Sequence, residues 1–277
     1  MHKNNICEIE KVLKKNKLVA MIAPSYIADF DYPHIIPMLK SLGCDKVVEV
    51  TFGAKMINRD YHKKLKSSKK LLIASVCPGI TEIIKNKYPK LKNNLIKVDS
   101  PMVAMAKIIR KEYPKHKILF ISPCNYKKTE AESSNYIDYI VDYAQLKQLF
   151  KKYKIKKPKS SSAMFDKFYN DYTKIYPLAG GLSKTAHLKG VIKPSETKQI
   201  DGINQVIKYL NNPDKNIKFL DVNFCKGGCI GGPCLTNKLT LSQRKKRVLN
   251  YLKQSKSEDI PETRKGLICK YNLIYVF

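Results

Sequence analysis

The chain has 277 residues, enough for one large domain or two lobes around a buried core, which excludes a peptide-sized or scaffold-dependent molecule. Apolar residues at 43% and charged residues at 27% exclude the low-hydrophobicity pattern of a disordered chain. The formal charge of +30 suggests a nucleic-acid binder, but only five of the 53 basic residues are arginine, the residue that base readout and bidentate phosphate gripping favour, so no DNA or RNA partner is expected.

In chain order, residues 1–17 read as a basic leader without the apolar stretch and small-residue cleavage site of a secretory signal. No apolar run approaches the ~18–20 residues that cross a bilayer. The expectation is no membrane insertion and a cytoplasmic location, where thiols stay reduced. Short runs rich in Val, Ile, Leu and Phe predict strands over 17–24, 46–53, 70–77, 94–99, 117–124 and 217–225. Between them, 33–42, 80–90, 101–112 and 203–211 predict amphipathic helices. This alternation predicts an α/β fold of two lobes, 18–113 and 114–250, with mainly parallel twisted sheets flanked by helices. The lysine-rich stretch 151–162 reads as a surface linker or lobe insertion, because like charges repel and Pro and Ser do not propagate regular structure. Residues 251–277 read as a tail ending in the strand-like LICKYNLIYVF.

Several strands end in loop-forming signatures: Ala23-Pro24-Ser25, Cys77-Pro78, Pro123-Cys124 and Cys225-Lys226-Gly227-Gly228-Cys229. In open α/β sheets ligands sit at these carboxyl ends. Of the eight cysteines, Cys7, Cys44 and Cys269 have bland surroundings and read as structural. In a reducing compartment the remainder are core thiols, reactive thiols or metal ligands. Pro and Gly beside Cys77, Cys124, Cys225 and Cys229 let the backbone turn sharply and bring N–H groups close to a sulfur-bridged anion. Four thiolates on three loops suit a four-iron cubane. Core thiols at strand ends are one alternative. A four-cysteine zinc site is another, although zinc usually draws its cysteines as close pairs and only one pair here is close. Cys234 reads as a fortuitous thiol, an extra oxidisable ligand being the alternative.

Three segments, LIASVCPG (72–79), ISPCNYKKTE (121–130) and DVNFCKGGCIGGP (221–233), in that order resemble the cysteine motifs of the large-subunit catalytic (H-cluster) domain of iron-only (FeFe) hydrogenases. The resemblance extends through 23–25, 48–54, 88–102 and 178–185 and so covers about residues 18–250. It implies an iron-sulfur site in the cleft between the lobes: a 4Fe-4S cubane joined through a cysteine to a two-iron subsite carrying CO and cyanide ligands. By resemblance, Cys77, Cys124 and Cys225 are cubane ligands, and Cys229 is the thiolate that bridges to the two-iron unit. Lys127 matches the family lysine that donates to a cyanide, and Ala23, Pro24 and Ser25 match the loop holding the other cyanide. Glu130 matches a carboxylate of the second motif, with a surface salt bridge to Lys127 or Lys128 as the ordinary alternative.

The match breaks at defined places. Val76 stands where the most active members carry a proton-shuttling cysteine. Of several family carboxylates on the helix after Gly53 only Asp60 remains, and Ser122, Asn223 and Met102 replace residues expected beside the cluster. Such departures resemble the sensory branch. The resemblance implies a ferredoxin-hydrogenase-type oxidoreductase that interconverts H2 with protons and electrons, slowly or as a sensor. The alternative is a non-catalytic 4Fe-4S protein similar to hydrogenase-like assembly factors. With a single cysteine before Cys44 there is no wire of accessory clusters, so an acidic ferredoxin-like carrier or a separate ferredoxin or sensor subunit is expected to bring electrons. The positive charge speeds such an encounter. Hydrogenase maturases are expected to install the two-iron unit.

Overall fold

The computed structural model describes residues 6–13, 17–167 and 172–256. Its strands are β1 Leu18–Ile22, β2 Lys46–Glu49, β3 Leu72–Ile73, β4 Lys117–Ser122, β5 Tyr139–Asp142, β6 Thr197–Asp201 and β7 Phe219–Asn223. The helices are α1 Ile6–Leu13, α2 Ile35–Ser41, α3 Thr51–Ser67, α4 Pro78–Lys87, α5 Pro101–Glu112, α6 Asn125–Ser133, α7 Tyr143–Lys152, α8 Gly181–Thr185, α9 Ile203–Asn211 and α10 Leu241–Lys256. The strands form two wholly parallel sheets, ordered β2-β1-β4-β5 and β3-β7-β6.

Strand β1 is buried on both faces, which is why it reads as a continuous apolar run. Leu18, Ala20 and Ile22 meet α1, α2, α7 and α10, whereas Val19 and Met21 meet α3 and α5. Helices α3 and α5 pack on each other and serve both sheets. Phe52 and Met56 of α3 face the first sheet, while Ile57, Tyr61 and Leu65 share a cluster with Phe219 of the second. Helix α5 starts where its sequence dictates: Ser100 Oγ accepts the Val103 N–H at 3.4 Å, and Pro101 follows at a position needing no donor. Helix α7 opens on a capping box, Asp142 with Gln145.

Several expectations change. The predicted strand 46–53 stops at Glu49, and Thr51 begins α3. Within 94–99 there is only an isolated bridge between Leu95 and Ile73, so apolar character there marks burial rather than pairing. The two sheets do not follow the contiguous division at 113/114: the first takes strands from both sides of it, and β3 pairs with β7 across about half the chain. Parallel pairing needs long crossovers, which let a sheet recruit strands far apart in sequence. The predicted leader contains α1, whose Ile9 and Leu13 enter the core. The predicted tail begins inside α10, where Tyr251 is buried, and residues 257–277, with Cys269, lie outside the described residues. Residues 151–152 complete α7, and the segment after it returns Phe165 to the core. Among the described residues no helix is long and apolar enough to cross a membrane.

Candidate metal centre

The carboxyl ends of β1, β3, β4 and β7 feed one region, and each delivers part of a cavity of about 100 Å³. Ala23, Pro24 and Ser25 come from the turn after β1, and Val76 and Cys77 follow β3. Cys124 and Lys127 enter α6 after β4, and Cys229 lies beyond β7. Met102, Tyr176, Pro177, Asp221 and Asn223 complete much of the wall.

Three loops are clasped together by close packing. A Cβ on Gly79 would lie 2.8 Å from the Tyr126 ring and 3.0 Å from Phe224. Tyr126 and Phe224 meet with ring centroids 4.9 Å apart. One glycine thus lets the residues next to Cys77, Cys124 and Cys225 share a contact. The last loop is fixed equally tightly. Gly228 holds φ +76°, and a Cβ there would sit 2.6 Å from the Pro177 carbonyl oxygen. The next N–H, that of Cys229, donates to the same carbonyl at 2.7 Å.

Cys77 and Cys124 occupy the residues just before α4 and α6, at the N-terminal ends of those helices. The Cys77 sulfur also accepts backbone N–H groups from Phe224 and Ile80, the kind of donor that tunes an iron-sulfur cluster. Against this, burial pushes the Cys77 thiol up, with the Cys124 charge adding to it. Burial pushes Cys225 to about 12, reinforced by Cys124 and Cys77. Cys229 is raised by burial and then by Cys77, Cys124 and Cys225. By area Cys229 is exposed, but it lies deep in the fold, and the area faces the cavity it lines. Four thiols that repel one another as anions are the donor set a cationic metal group deprotonates and holds. Among the described residues no three Cys, His, Asp or Glu side chains converge tightly enough for a single ion. Four cysteines from three loops, with backbone N–H donors on the Cys77 sulfur, have the donor chemistry that suits a thiolate-bound cluster.

The other sequence-predicted residues fall on both sides of the wall. Lys127 lines the cavity, and its charge acts on both Cys77 and Cys229. Its Nζ also bonds Glu130 Oε2 at 2.5 Å, so Glu130 reaches the site only through Lys127 and itself lines an outer cleft. Ser25 Oγ pairs with the Tyr143 hydroxyl at 2.7 Å, and Tyr143 also donates to the Ala23 carbonyl at 3.3 Å, fixing that turn. Cys225 is not in the cavity wall but is coupled to Cys77 and Cys124. Cys234 gives its Sγ to Asn125 Oδ1 at 3.3 Å, outside the wall. Cys44 is a core thiol, and Cys7 sits on the exposed face of α1. Ser122 closes a local turn with Cys124, donating to its carbonyl and accepting its N–H, both at 3.1 Å.

Sequence reasoning missed two polar members of the wall. Asp221 is buried, and its Oδ2 accepts the Ser183 hydroxyl at 2.6 Å and the Ser183 N–H at 2.9 Å. Tyr176 keeps its hydroxyl buried without a hydrogen-bond partner. An acid inside the apolar run FLDVNF was the signal available for Asp221.

Two parallel sheets whose strand ends bring Cys77, Cys124 and Cys229 to one cavity, with Cys225 beside them, define a class of α/β protein with a cysteine-lined site at its strand ends. The sequence model of "Iron only hydrogenase large subunit, C-terminal domain" matches residues 16–233, and the chain belongs to that family. It is 24% identical over 254 residues to Iron hydrogenase 1 of Clostridium pasteurianum, covering 72% of this chain and 44% of that protein, so it spans less than half of that relative's length. Its fold is similar to that of apo [FeFe]-hydrogenase HydA1 from Chlamydomonas reinhardtii, with TM-score 0.72, 14% identity and coverage of 96% of this chain and 92% of that one. A single-site variant of HydA1 matches with TM-score 0.73, 14% identity and the same coverage of both chains.

Proposed function

We propose that this chain is an FeFe-hydrogenase-like iron-sulfur oxidoreductase domain that interconverts H2 with protons and electrons, slowly or as a hydrogen sensor. The observation that carries this reading is the meeting of Cys77, Cys124 and Cys229 with Ser25 and Lys127 on one cavity, with Cys225 coupled to the same thiols. Cys77, Cys124, Cys225 and Cys229 would hold a 4Fe-4S cluster, and Cys229 would join it to a two-iron unit carrying CO and cyanide. When bound, that assembly supplies the redox and hydrogen-splitting chemistry.

The protein's own part is electrostatic and geometric. The Lys127 ammonium, tethered by Glu130, presents a positive donor to anionic ligands in a site lined mostly by apolar groups, where charge-assisted hydrogen bonds are strong. Ser25 and the backbone after β1 offer donors from the facing wall, held in place by Tyr143. Val76, Met102 and Pro101 keep the interior apolar. Val76 can neither give nor take a proton, which limits turnover on that side.

The electron partner in this reading is an acidic ferredoxin-like carrier or a separate ferredoxin or sensor subunit, drawn by the +30 charge. Maturases install the two-iron unit. The test is anaerobic purification after coexpression with hydrogenase maturases. Infrared bands of bound CO and cyanide together with H2/D2 exchange support the proposal. About four irons per chain with neither band would replace it with a non-catalytic cluster protein.

A further inference from the structure

The cavity wall holds one carboxylate among its described residues, Asp221, and the sequence-based reading gave it no role. It lies on β7 with 2% of its surface exposed. Its partner Ser183, on α8, does not line the cavity; it lines a separate open cleft of about 1090 Å³ with Lys184, His187, Lys193 and Lys218. A short hydrogen bond of 2.6 Å, Ser183 Oγ–H to Asp221 Oδ2, therefore links a residue of the thiol cavity to a residue of the open cleft.

We propose that Asp221 and Ser183 form a proton conduit between the thiol cavity and this cleft. In the outward direction a proton from the cavity binds the Asp221 carboxylate. The carboxylic acid then passes a proton to Ser183 Oγ as the serine's own hydroxyl proton leaves for water in the cleft. For this the hydroxyl first turns from Asp221 toward the cleft, the hop leaves the new O–H donating to Asp221 as at the start, and no electrons move. Uptake is the reverse sequence.

The surroundings suit this task. Burial raises Asp221 above the ordinary carboxylate range against the lowering effect of both Ser183 donors and of Lys184, which brings its protonation nearer neutral pH. The other titratable groups that feel it, Tyr61 on α3 and Tyr176 before α8, are themselves raised by burial and stay neutral there. Val76, on the same wall, has no group that gives or takes a proton.

The conduit rests on the proposed hydrogen chemistry for its purpose, so its test has two arms. In metal-free protein labelled with carboxyl-carbon-13 aspartate, the resonance lost in Asp221→Asn is followed against pH. It is expected to titrate as one moving line in wild type and to broaden in Ser183→Ala, which keeps the N–H anchor but slows proton exchange several-fold. A resonance that does not titrate, or that exchanges equally fast in Ser183→Ala, overturns the conduit. In matured protein, Asp221→Asn is expected to lower H2/D2 exchange about 10²-fold with CO and cyanide bands intact, and Asp221→Glu to recover much of it. Unchanged exchange in Asp221→Asn also overturns the conduit. If wild type itself shows no such bands, the hydrogen-chemistry reading falls, and the carbon-13 arm still decides the conduit.

Discussion

Two buried polar regions of this molecule obey opposite rules. Behind β2, Lys174 bonds Glu49 and also Tyr251 at 2.8 Å, while Thr51 donates to Glu49 at 2.9 Å and Tyr251 to both carboxylate oxygens at 3.2 Å. Those polar atoms satisfy one another, and the cluster ties β2 to α10. At the cavity, burial and then neighbouring thiols raise Cys77, Cys225 and Cys229, Tyr176 keeps an unpartnered hydroxyl, and glycines sit where no side chain fits. A saturated network stabilises a fold, whereas an unsatisfied one is stabilised by something bound to it.

The sharpest way to break this contrast is at the thiols. Cys77→Ser or Cys225→Ser is expected to abolish the brown absorbance of the iron-loaded protein while the melting temperature of metal-free protein stays put. Full colour in both variants would mean the cavity is not a cluster site. At the other region, Glu49→Gln removes the counter-charge of buried Lys174 and is expected to cost about 3–5 kcal/mol in denaturant unfolding, with iron content per folded chain unchanged. Loss of iron alongside stability would show that the two regions are not separable.

These two sites also differ in how far the sequence foretold them. The four cysteines stood out because Pro and Gly adjoin them, and α5 and α9 were legible to the residue because Ser100-Pro101 and Gly202 punctuate strongly periodic segments. The saturated cluster was invisible, since Glu49, Lys174 and Tyr251 are brought together only by tertiary packing. The same reason hid Asp221 and Tyr176 as wall residues. Strand β6 escaped because Thr197–Asp201 is a largely polar edge strand, and β5 because Tyr139–Asp142 is only four residues long. The pairing of β3 with β7 is a non-local choice that no local pattern announces.

Gly228→Ala joins both effects, because a side chain at φ +76° must displace the Pro177 carbonyl that fixes Cys229. A loss of about 1–3 kcal/mol together with reduced iron uptake is expected, read by thermal melting and iron assay. Ser25→Ala, which removes the 2.7 Å bond to Tyr143, should cost only about 1 kcal/mol by the same melting measurement.

The smallest effect is in acid. Burial opposes the Asp29 charge, but Lys147 and Thr236 outweigh it and hold the carboxyl below its ordinary value. Its contribution is complete above the unfolded pKa of about 3.9 and is lost as pH falls through the lower folded value. Asp29→Asn should therefore be less stable than wild type near neutrality, with the gap narrowing below about pH 4 in pH-dependent melting curves.

In the proposed function, thiols from three separate loops hold one cluster. The most direct measurement of this is the iron and acid-labile sulfide content of the anaerobically reconstituted protein, read with its Mössbauer spectrum. About four irons and four sulfides per chain in a single cubane are predicted. One metal ion per chain without sulfide, or iron content that Cys77→Ser leaves unchanged, would contradict it.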